Sequence, residues 1–287
     1  MNTNCKELIF KQLANLGVHP SDTVLISIDI SKFGLIKGYK RNDYVRIFKD
    51  YFTEEGGTFV TLAFTPLKFS IFNNDLPFFD GTQPAYTGAF ANEMLKDKDA
   101  YRSKHPTNSV VAIGKNAKIF VNDLDGYGGA YDFARRAVEM NAKILLIGMN
   151  EYPGFLTHLV EQDLKFYRKY WYRYFLKVRT KKGVYKRLDP GGCSNTFGRL
   201  YPEYIKCEVL RIGRINNAYS LCIDAKDAYQ IDYRVISANP SILICDNSNC
   251  TTCRIYRWKT IWRLPYFVLK KIFNEVFKFY RSLKGGT

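Results

Sequence analysis

Short apolar runs that alternate with amphipathic segments constrain the fold of this chain more than any other feature. Runs with the character of buried strands are DTVLISI (22–28), TFVTLAF (58–64), VVAI (110–113) and KILLIG (143–148). Helical periodicity occurs before or between them, over residues 4–16, 42–55, 86–97 and 131–140. Strands that alternate with helices predict a sheet with a parallel core whose two faces are covered by helices.

The pattern changes after about residue 165. KFYRKYWYRYFLKVRTKKGVYKR (165–187) alternates aromatic with basic residues, which is the period of a half-exposed antiparallel strand pair. AYSLCID (218–224) predicts another strand, followed by a helix over about 225–237 that Asp224 caps and Pro240 ends. The predicted fold class is therefore α/β, with a central mixed sheet that has a parallel core flanked by helices and an antiparallel β extension in the second half.

A C-terminal amphipathic helix is predicted from Pro265 through Leu283. Its apolar face carries Leu269, Ile272, Phe273, Val276, Tyr280 and Leu283, and its other face carries Lys270, Lys271, Lys278, Arg281 and Lys284. Either the apolar face packs on the protein or on a second copy, as in a homo-oligomer, or residues 254–284 lie on an anionic membrane surface. We divide the chain into a main domain over 1–240 and a basic, aromatic C-terminal extension over 241–287.

The net charge of +16 favours anionic partners such as nucleotides, coenzyme A, acidic lipids or nucleic acid, unless it is only a solvated basic surface. Seven cysteines without a signal peptide predict reduced thiols and a cytoplasmic protein. No apolar run in the sequence is long enough to span a bilayer. Cys245, Cys250 and Cys253 lack a clear fourth ligand, so we expect no metal site.

His158 follows the KILLIG run, at the carboxyl edge of the predicted sheet where ligands bind in open α/β folds. Glu161 comes three residues later, so a helix would place both side chains on one face. A carboxylate beside an imidazole orients the ring and raises its basicity, which suits a general base. The alternative is an ordinary surface pair at the start of a helix.

The 101–114 segment, YRSKHPTNSVVAIG, crowds polar side chains at the entrance of an apolar strand. Taken locally, this is a loop that caps its own backbone groups with Ser103, Thr107, Asn108 and Ser109. Cys193, which follows two glycines in GGCSN, is a candidate nucleophile, but no motif supports it.

Several segments together resemble the antibiotic N-acetyltransferase family, which contains the aminoglycoside 3-N-acetyltransferases. The 101–114 segment resembles that family's R-S-x-H-P-x-x-S-x-x-A-x-G motif, and KILLIGMNEYPGFLTHLVE (143–161) resembles its L-L-L-G stretch followed by L-H-x-x-E. Similar segments are LANLGVHPSDTVLI (13–26), ISKFGLIKG (30–38) and FFDGTQPAYTGAFANE (78–93). The order and spacing hold from about Leu13 to Glu161, and a weaker similarity continues to about Ile236.

The resemblance implies that residues 1–240 form an N-acyltransferase domain. Such a domain moves an acyl group from acetyl-coenzyme A, or another acyl-coenzyme A, to the amine of an amino sugar without a metal. It implies that His158 is the general base and Glu161 its acidic partner. It implies coenzyme contacts from Ser31, Lys32, Phe33, Arg102, Ser103, His105 and Ser109. Departures from the family pattern assign the acceptor pocket to Asp29, Tyr152 and Phe155.

The net charge leads us to expect a nucleotide- or lipid-linked amino sugar of surface polysaccharide biosynthesis as the acceptor, because aminoglycosides are polycations. Aminoglycoside 3-N-acetylation, which confers antibiotic resistance, is the alternative. A second alternative is a non-catalytic module that binds nucleic acid or a membrane surface. We do not expect nucleic acid, because a half-exposed strand pair explains the alternating residues 165–187.

Overall fold

A seven-stranded mixed sheet forms the centre of the protein. The computed structural model describes residues 3–149, 154–166, 175–187, 191–250, 252–253 and 266–284. The α-helices are α1 (Thr3–Asn15), α2 (Ile30–Phe33), α3 (Arg41–Glu54), α4 (Ala89–Met94), α5 (Ala117–Val121), α6 (Asp132–Glu139), α7 (Gly154–Asp163), α8 (Tyr201–Lys206), α9 (Ala225–Ala238) and α10 (Tyr266–Lys284). The strands are β1 (Thr23–Ile28), β2 (Thr58–Leu62), β3 (Lys68–Phe69), β4 (Phe78–Phe79), β5 (Tyr101–Arg102), β6 (Val110–Gly114), β7 (Lys143–Ile147), β8 (Leu176–Thr180), β9 (Gly183–Lys186), β10 (Arg211–Ile215) and β11 (Ala218–Asp224).

The strand order of the main sheet is β10-β11-β7-β1-β2-β6-β5. The three central strands β7, β1 and β2 are parallel, while β6 and β11 pair with them in the antiparallel direction. Successive residues of each central strand enter opposite apolar cores: Leu25 packs into one, and Val24 and Ile26 pack into the other. The α/β class with a parallel core flanked by helices is therefore confirmed.

A small second sheet contains β8 and β9, which pair in the antiparallel direction as predicted for residues 165–187. Residues 167–174 of that stretch lie outside the described residues. The sequence predicts one long loop between residues 65 and 84, but this region contributes β3 and β4, which both pair with β8. A strand of two residues is too short to show the alternating pattern by which strands are predicted from a sequence.

Asp224 occupies the N-cap position of α9, as predicted, but its carboxylate makes no capping hydrogen bond. It accepts hydrogen bonds from Lys143 at 3.0 Å and from Arg211 at 3.1 Å, on the neighbouring strands β7 and β10. Charge-assisted hydrogen bonds are stronger than neutral ones. The Asp224 carboxylate therefore bonds to the two cations and not to the backbone N–H groups at the start of α9.

The C-terminal helix α10 contacts the rest of the protein through Phe279, whose ring stacks on Phe72 with centroids 4.3 Å apart. Much of its apolar face is exposed, including Phe273 at 68% and Leu283 at 65%. None of the helices within the described ranges is long and apolar enough to cross a membrane. Pro265, the predicted start of the helix, lies outside the described residues.

Candidate active site

The predicted site residues come together at the carboxyl edge of the parallel strands. Asp29 follows β1, α7 follows β7, and Ser109 lies beside the end of β2, where its carbonyl accepts from the Ala63 N–H at 2.8 Å. Carboxyl ends of neighbouring parallel strands meet at one edge, which is where ligands bind in open α/β sheets. The topology therefore places these groups around one region.

His158 and Glu161 form a close pair on the inner face of α7. The distance between His158 Nδ1 and Glu161 Oε2 is 2.6 Å, and the side chains are only 13% and 4% exposed. An ionised carboxylate can only accept hydrogen bonds, so Nδ1 donates its proton to Glu161. The imidazole lone pair is then at Nε2, the nitrogen that can take a proton from a substrate.

The backbone at Gly191 and Gly192 approaches this pair closely. The Gly192 N–H donates to Glu161 Oε2 at 2.7 Å and lies 3.1 Å from His158 Nδ1. Gly191 has a φ of +76°, and a Cβ there would lie 2.9 Å from the His158 ring. A Cβ on Gly192 would overlap Glu161 Oε1. Only glycine therefore lets the backbone come near enough to hold the carboxylate.

Aromatic rings enclose the imidazole on two sides. The Tyr131 ring lies 4.8 Å from the His158 ring, and Phe197 approaches it edge-on at 5.0 Å. Arg187 donates to the Tyr131 hydroxyl at 2.6 Å and so fixes that ring. None of these three residues was predicted from the sequence, because nothing in their local pattern links them to His158.

Helix α7 is anchored by buried polar contacts on both sides of the pair. Thr157 donates to the fully buried Asp232 of α9 at 2.8 Å, and Tyr204 donates to the other oxygen of the same carboxylate. Gln162 donates to Asp132 at 2.8 Å. A helix that is held at several points keeps the orientation of a base constant, which catalysis requires.

Arg102 organises the 101–114 segment by bonding to backbone carbonyls. Its guanidinium donates to Ala63 at 2.9 Å and to Gly81 and Gln83, and its Nε donates to Ser109 Oγ at 3.1 Å. Burial lowers the pKa of Arg102. Ser109 is fully buried, and its hydroxyl donates to the Ala63 carbonyl. Both side chains therefore tie the segment to the end of β2.

Ser103 and His105 also make internal hydrogen bonds. Ser103 Oγ accepts from the Val110 N–H at 3.0 Å. His105 is 3% exposed, and its Nδ1 accepts from the N–H groups of Thr107 and Asn108 at 3.2 and 2.9 Å. Burial, and secondly the charge of Arg187, lower the pKa of His105 to about 3. His105 is therefore a neutral part of the fold.

Acidification should destabilise the protein through His105. The pKa rises from about 3 in the folded state to 6.5 in the unfolded state, so below pH 6.5 only the unfolded chain takes up this proton. Between pH 6.5 and 3 the group should lower the free energy of unfolding by up to about 1.4 kcal/mol per pH unit. In His105→Asn, which keeps an acceptor for the two N–H groups, that part of the slope should vanish.

Urea denaturation over a pH series measures this slope, and His19→Asn, at an exposed turn, is the control. If His105→Asn and the unchanged protein lost stability equally on acidification, another group would be responsible.

A cavity of about 620 Å³ opens between the 101–114 segment and the β8–β9 hairpin. Its lining includes four cationic residues and two carboxylates: Arg102, Lys104, Lys181, Lys182, Asp80 and Asp125. Positive charge therefore exceeds negative charge by two in a cavity that suits phosphate groups. The three lysines were not predicted from the sequence, because basic residues are common along the whole chain.

Strand β9 connects this cavity with the imidazole. Tyr185 lines the cavity, and Arg187, two residues later, bonds to the tyrosine that contacts His158. Neither Tyr131 nor His158 is among the described residues that line the cavity, so the link from the cavity to the base is indirect.

The α2 residues lie on the same sheet edge and interact with one another. Asp29 accepts from the Ser31 N–H at 3.0 Å and from its hydroxyl, which lowers the pKa of Asp29, and it pairs with Lys32 at 3.7 Å. Phe33 is buried in the core.

Phe155 is 7% exposed and packs on Phe133 at 5.7 Å. Tyr152 lies outside the described residues, and the ligand roles assigned to this group stay predictions.

Comparisons with known proteins point to one family. A family model described as aminoglycoside 3-N-acetyltransferase matches residues 25–236. The apoenzyme structure of aminoglycoside acetyltransferase AAC(3)-IVa is similar with a TM-score of 0.72 at 18% identity, over 88% of this chain and 96% of that one. AAC-IIIb in complex with CoASH has a TM-score of 0.62 at 18% identity, over 81% of this chain and 96% of that one. AAC-VIa with bound sisomicin has a TM-score of 0.66 at 19% identity, over 81% of this chain and 97% of that one.

A search of curated proteins finds no match. The solved structures agree with this chain in fold, and the family match covers more than half of its length. The predicted resemblance and the acetyltransferase activity that it implied are confirmed. The chain belongs to the aminoglycoside 3-N-acetyltransferase family and is an N-acetyltransferase.

Proposed function

We propose that this protein acetylates an amine of an aminoglycoside, with His158 as the general base. The observation that carries the proposal is the 2.6 Å pair of His158 and Glu161 at the carboxyl edge of the sheet. The family match favours this acceptor class over the nucleotide- or lipid-linked amino sugar that we expected from the net charge. That expectation rested on the net charge of the whole chain, whereas the carboxylate of Glu161 lies beside the proposed base.

The proposed chemistry needs the amine as a free base. As the amine nitrogen attacks the thioester carbonyl, His158 Nε2 accepts a proton from it, the new C–N bond forms and the C–S bond breaks. The coenzyme leaves as a thiolate and is protonated afterwards. The Glu161 carboxylate stabilises the positive charge that develops on the imidazole, and the low exposure of both groups strengthens that interaction.

An acceptor panel tests the proposed function. Release of the coenzyme A thiol should be fastest, by kcat/KM, with an aminoglycoside, when aminoglycosides are compared with nucleotide-linked amino sugars. If a nucleotide-linked amino sugar gave the higher kcat/KM, the acceptor would instead belong to the anionic class that we expected from the net charge. If no amine in either group accelerated thiol release, the proposed function would be wrong.

The cationic cavity should contribute to coenzyme binding through its phosphate groups. Lys181→Ala combined with Lys182→Ala should weaken acetyl-coenzyme A binding roughly tenfold, at about 0.5–1 kcal/mol for each lost charge, with little change in kcat. Salt should weaken binding less in the variant than in the unchanged protein, because salt screens exposed charges.

Calorimetric titration at two salt concentrations measures both effects. The control combines Lys206→Ala with Lys226→Ala, two exposed lysines on α8 and α9. Equal affinities and equal salt dependence in the two double variants would place the coenzyme phosphates elsewhere.

We also propose that α10 lies on an anionic membrane surface. Its apolar side chains Leu269 and Phe273 are 49% and 68% exposed, and Lys270, Lys278 and Arg281 are exposed beside them. A helix with an aromatic apolar face and a basic face binds membrane interfaces, with about 1 kcal/mol for each basic residue near an anionic leaflet.

Phe273→Asp should therefore reduce co-sedimentation with phosphatidylglycerol vesicles severalfold, because it puts a negative charge on the apolar face. Asn274→Asp adds the same charge at an exposed polar position of the same helix and is the matched control. If the unchanged protein ignored vesicles and Phe273→Asp altered its oligomeric state instead, the face would be a contact between two copies.

A further inference from the structure

Four cysteines from two distant parts of the chain converge beside the candidate active site. Cys193 follows Gly191 and Gly192, and Cys245, Cys250 and Cys253 follow α9. Their four sulfur atoms all lie within 4.8 Å of one another. We expected no metal site from the sequence because the three C-terminal cysteines lacked a fourth ligand, but the fold brings Cys193 to them as a fourth thiol.

The distances fit a metal better than disulfides. In a tetrahedral zinc site with Zn–S bonds of about 2.3 Å, the sulfur atoms are roughly 3.8 Å apart. Cys193 Sγ and Cys250 Sγ are 3.5 Å apart, and all four cysteines are free thiols. The C-x2-C spacing of Cys250 and Cys253 is also typical of structural zinc sites.

One backbone donor contacts a sulfur of the cluster, and an arginine holds the loop that carries it. The Cys245 N–H donates to Cys253 Sγ at 3.2 Å, a bond that offsets negative charge on sulfur. Arg199 holds the same loop through the Ile244 carbonyl at 2.9 Å and Asp246 at 2.7 Å.

The cysteines themselves make up most of the local core. The small apolar cluster here consists of Cys193, Cys245 and Cys253, with Ile244 and Cys250 packed against it. So few apolar groups bury little surface, and segments of this kind commonly obtain their stability from a bound metal.

We propose that Cys193, Cys245, Cys250 and Cys253 bind one structural Zn²⁺ ion. The four thiols release their protons on binding, because zinc takes the thiolate form. Four protein ligands fill a tetrahedral zinc ion and leave no position for a substrate, so the ion acts on the fold and not on the reaction.

The position of Cys193 couples this site to the catalytic pair. Cys193 directly follows Gly192, whose N–H holds Glu161, and precedes Phe197, whose ring packs on His158. A zinc ion that fixes Cys193 therefore also fixes the backbone on both sides of it. This positioning role rests on the proposed function of His158 and Glu161, whereas zinc binding itself does not.

Metal analysis of the full-length protein tests zinc binding without any assay of activity. Protein purified without chelators should contain about one zinc ion per chain. Cys250→Ser and Cys253→Ser should lose most of it, while Cys5→Ser and Cys207→Ser, at half-buried cysteines outside the cluster, should retain it. Zinc-free protein that also fails to bind added zinc, iron in place of zinc, or full zinc content in Cys250→Ser would overturn the proposal.

A second measurement uses the unaltered protein, so it tests zinc binding even if the cysteine variants fail to fold. Stepwise blocking of thiols with a mercurial reagent should release the zinc ion as the four cluster thiols react, which a metal-sensitive dye detects. Release that does not follow the loss of these thiols would count against the cluster. Removal of zinc should also speed hydrogen exchange over residues 191–200 and lower kcat more than it raises KM. If exchange and kcat stayed unchanged, the positioning role would be wrong while zinc binding would stand.

Discussion

Replacing His158 with alanine is expected to lower kcat by about 10²- to 10⁴-fold, which is the usual contribution of a general base. The substitution removes Nε2, the nitrogen that accepts the proton from the attacking amine, and it leaves the cationic cavity intact. The affinity for coenzyme A should therefore stay close to that of the unchanged protein. Steady-state kinetics with the best acceptor and calorimetric titration with coenzyme A measure the two quantities.

The matched control is His19→Ala, since His19 lies at an exposed turn far along the chain from α7. That variant should keep its full kcat. A His158→Ala protein that folds, binds coenzyme A and retains kcat within a few-fold of the unchanged protein would show that another group removes the proton.

Replacing Glu161 with glutamine should cost nearly as much activity, about 10²–10⁴ in kcat, because the orientation and the charge of the imidazole both depend on the carboxylate. The amide NH₂ group of the glutamine can occupy the position of either carboxylate oxygen of Glu161. At the Oε2 position it would face two donors, His158 Nδ1 and the Gly192 N–H. At the Oε1 position it would be buried where the described residues offer no hydrogen-bond partner, which costs about 1–3 kcal/mol.

Glu139→Gln is the matched control, because the carboxylate of Glu139 is exposed and pairs with Arg136 at 3.6 Å. Exposed pairs contribute little, so that variant should keep its kcat and its stability. Thermal unfolding and the pH dependence of kcat/KM separate the two effects of Glu161→Gln. A stable Glu161→Gln protein with unchanged kcat would reduce Glu161 to a structural residue and leave His158 to act alone.

The structural consequences of these variants depend on how firmly α7 is held. Thr157 on one side of the pair and Gln162 on the other bond to α9 and α6, respectively. Neither contact passes through His158 or Glu161, so both variants should keep the helix in place. The losses of kcat are therefore expected to report on chemistry and not on unfolding.

Periodic and local features of this protein follow from its amino-acid sequence alone. The alternation of apolar runs with amphipathic segments predicted the α/β sheet, because strand and helix periods are properties of neighbouring residues. The three-residue spacing of His158 and Glu161 predicted a shared helix face, and their 2.6 Å contact agrees with it. The motif of the 101–114 segment indicated the family, which the match over residues 25–236 confirms.

Contacts between distant parts of the chain were decided only by the tertiary structure. The two glycines before Cys193 were visible in the sequence, but their position against Glu161 depends on how residues 191–193 fold back onto α7. The same return brings Cys193 to the three C-terminal cysteines, whose spacing alone had argued against a metal site. Asp224, a helix cap by its sequence position, binds Lys143 and Arg211 because strand pairing puts these cations beside it. A pattern of neighbouring residues specifies the local backbone, whereas the partner of a buried polar group is set by the packing of whole elements, which no local pattern records.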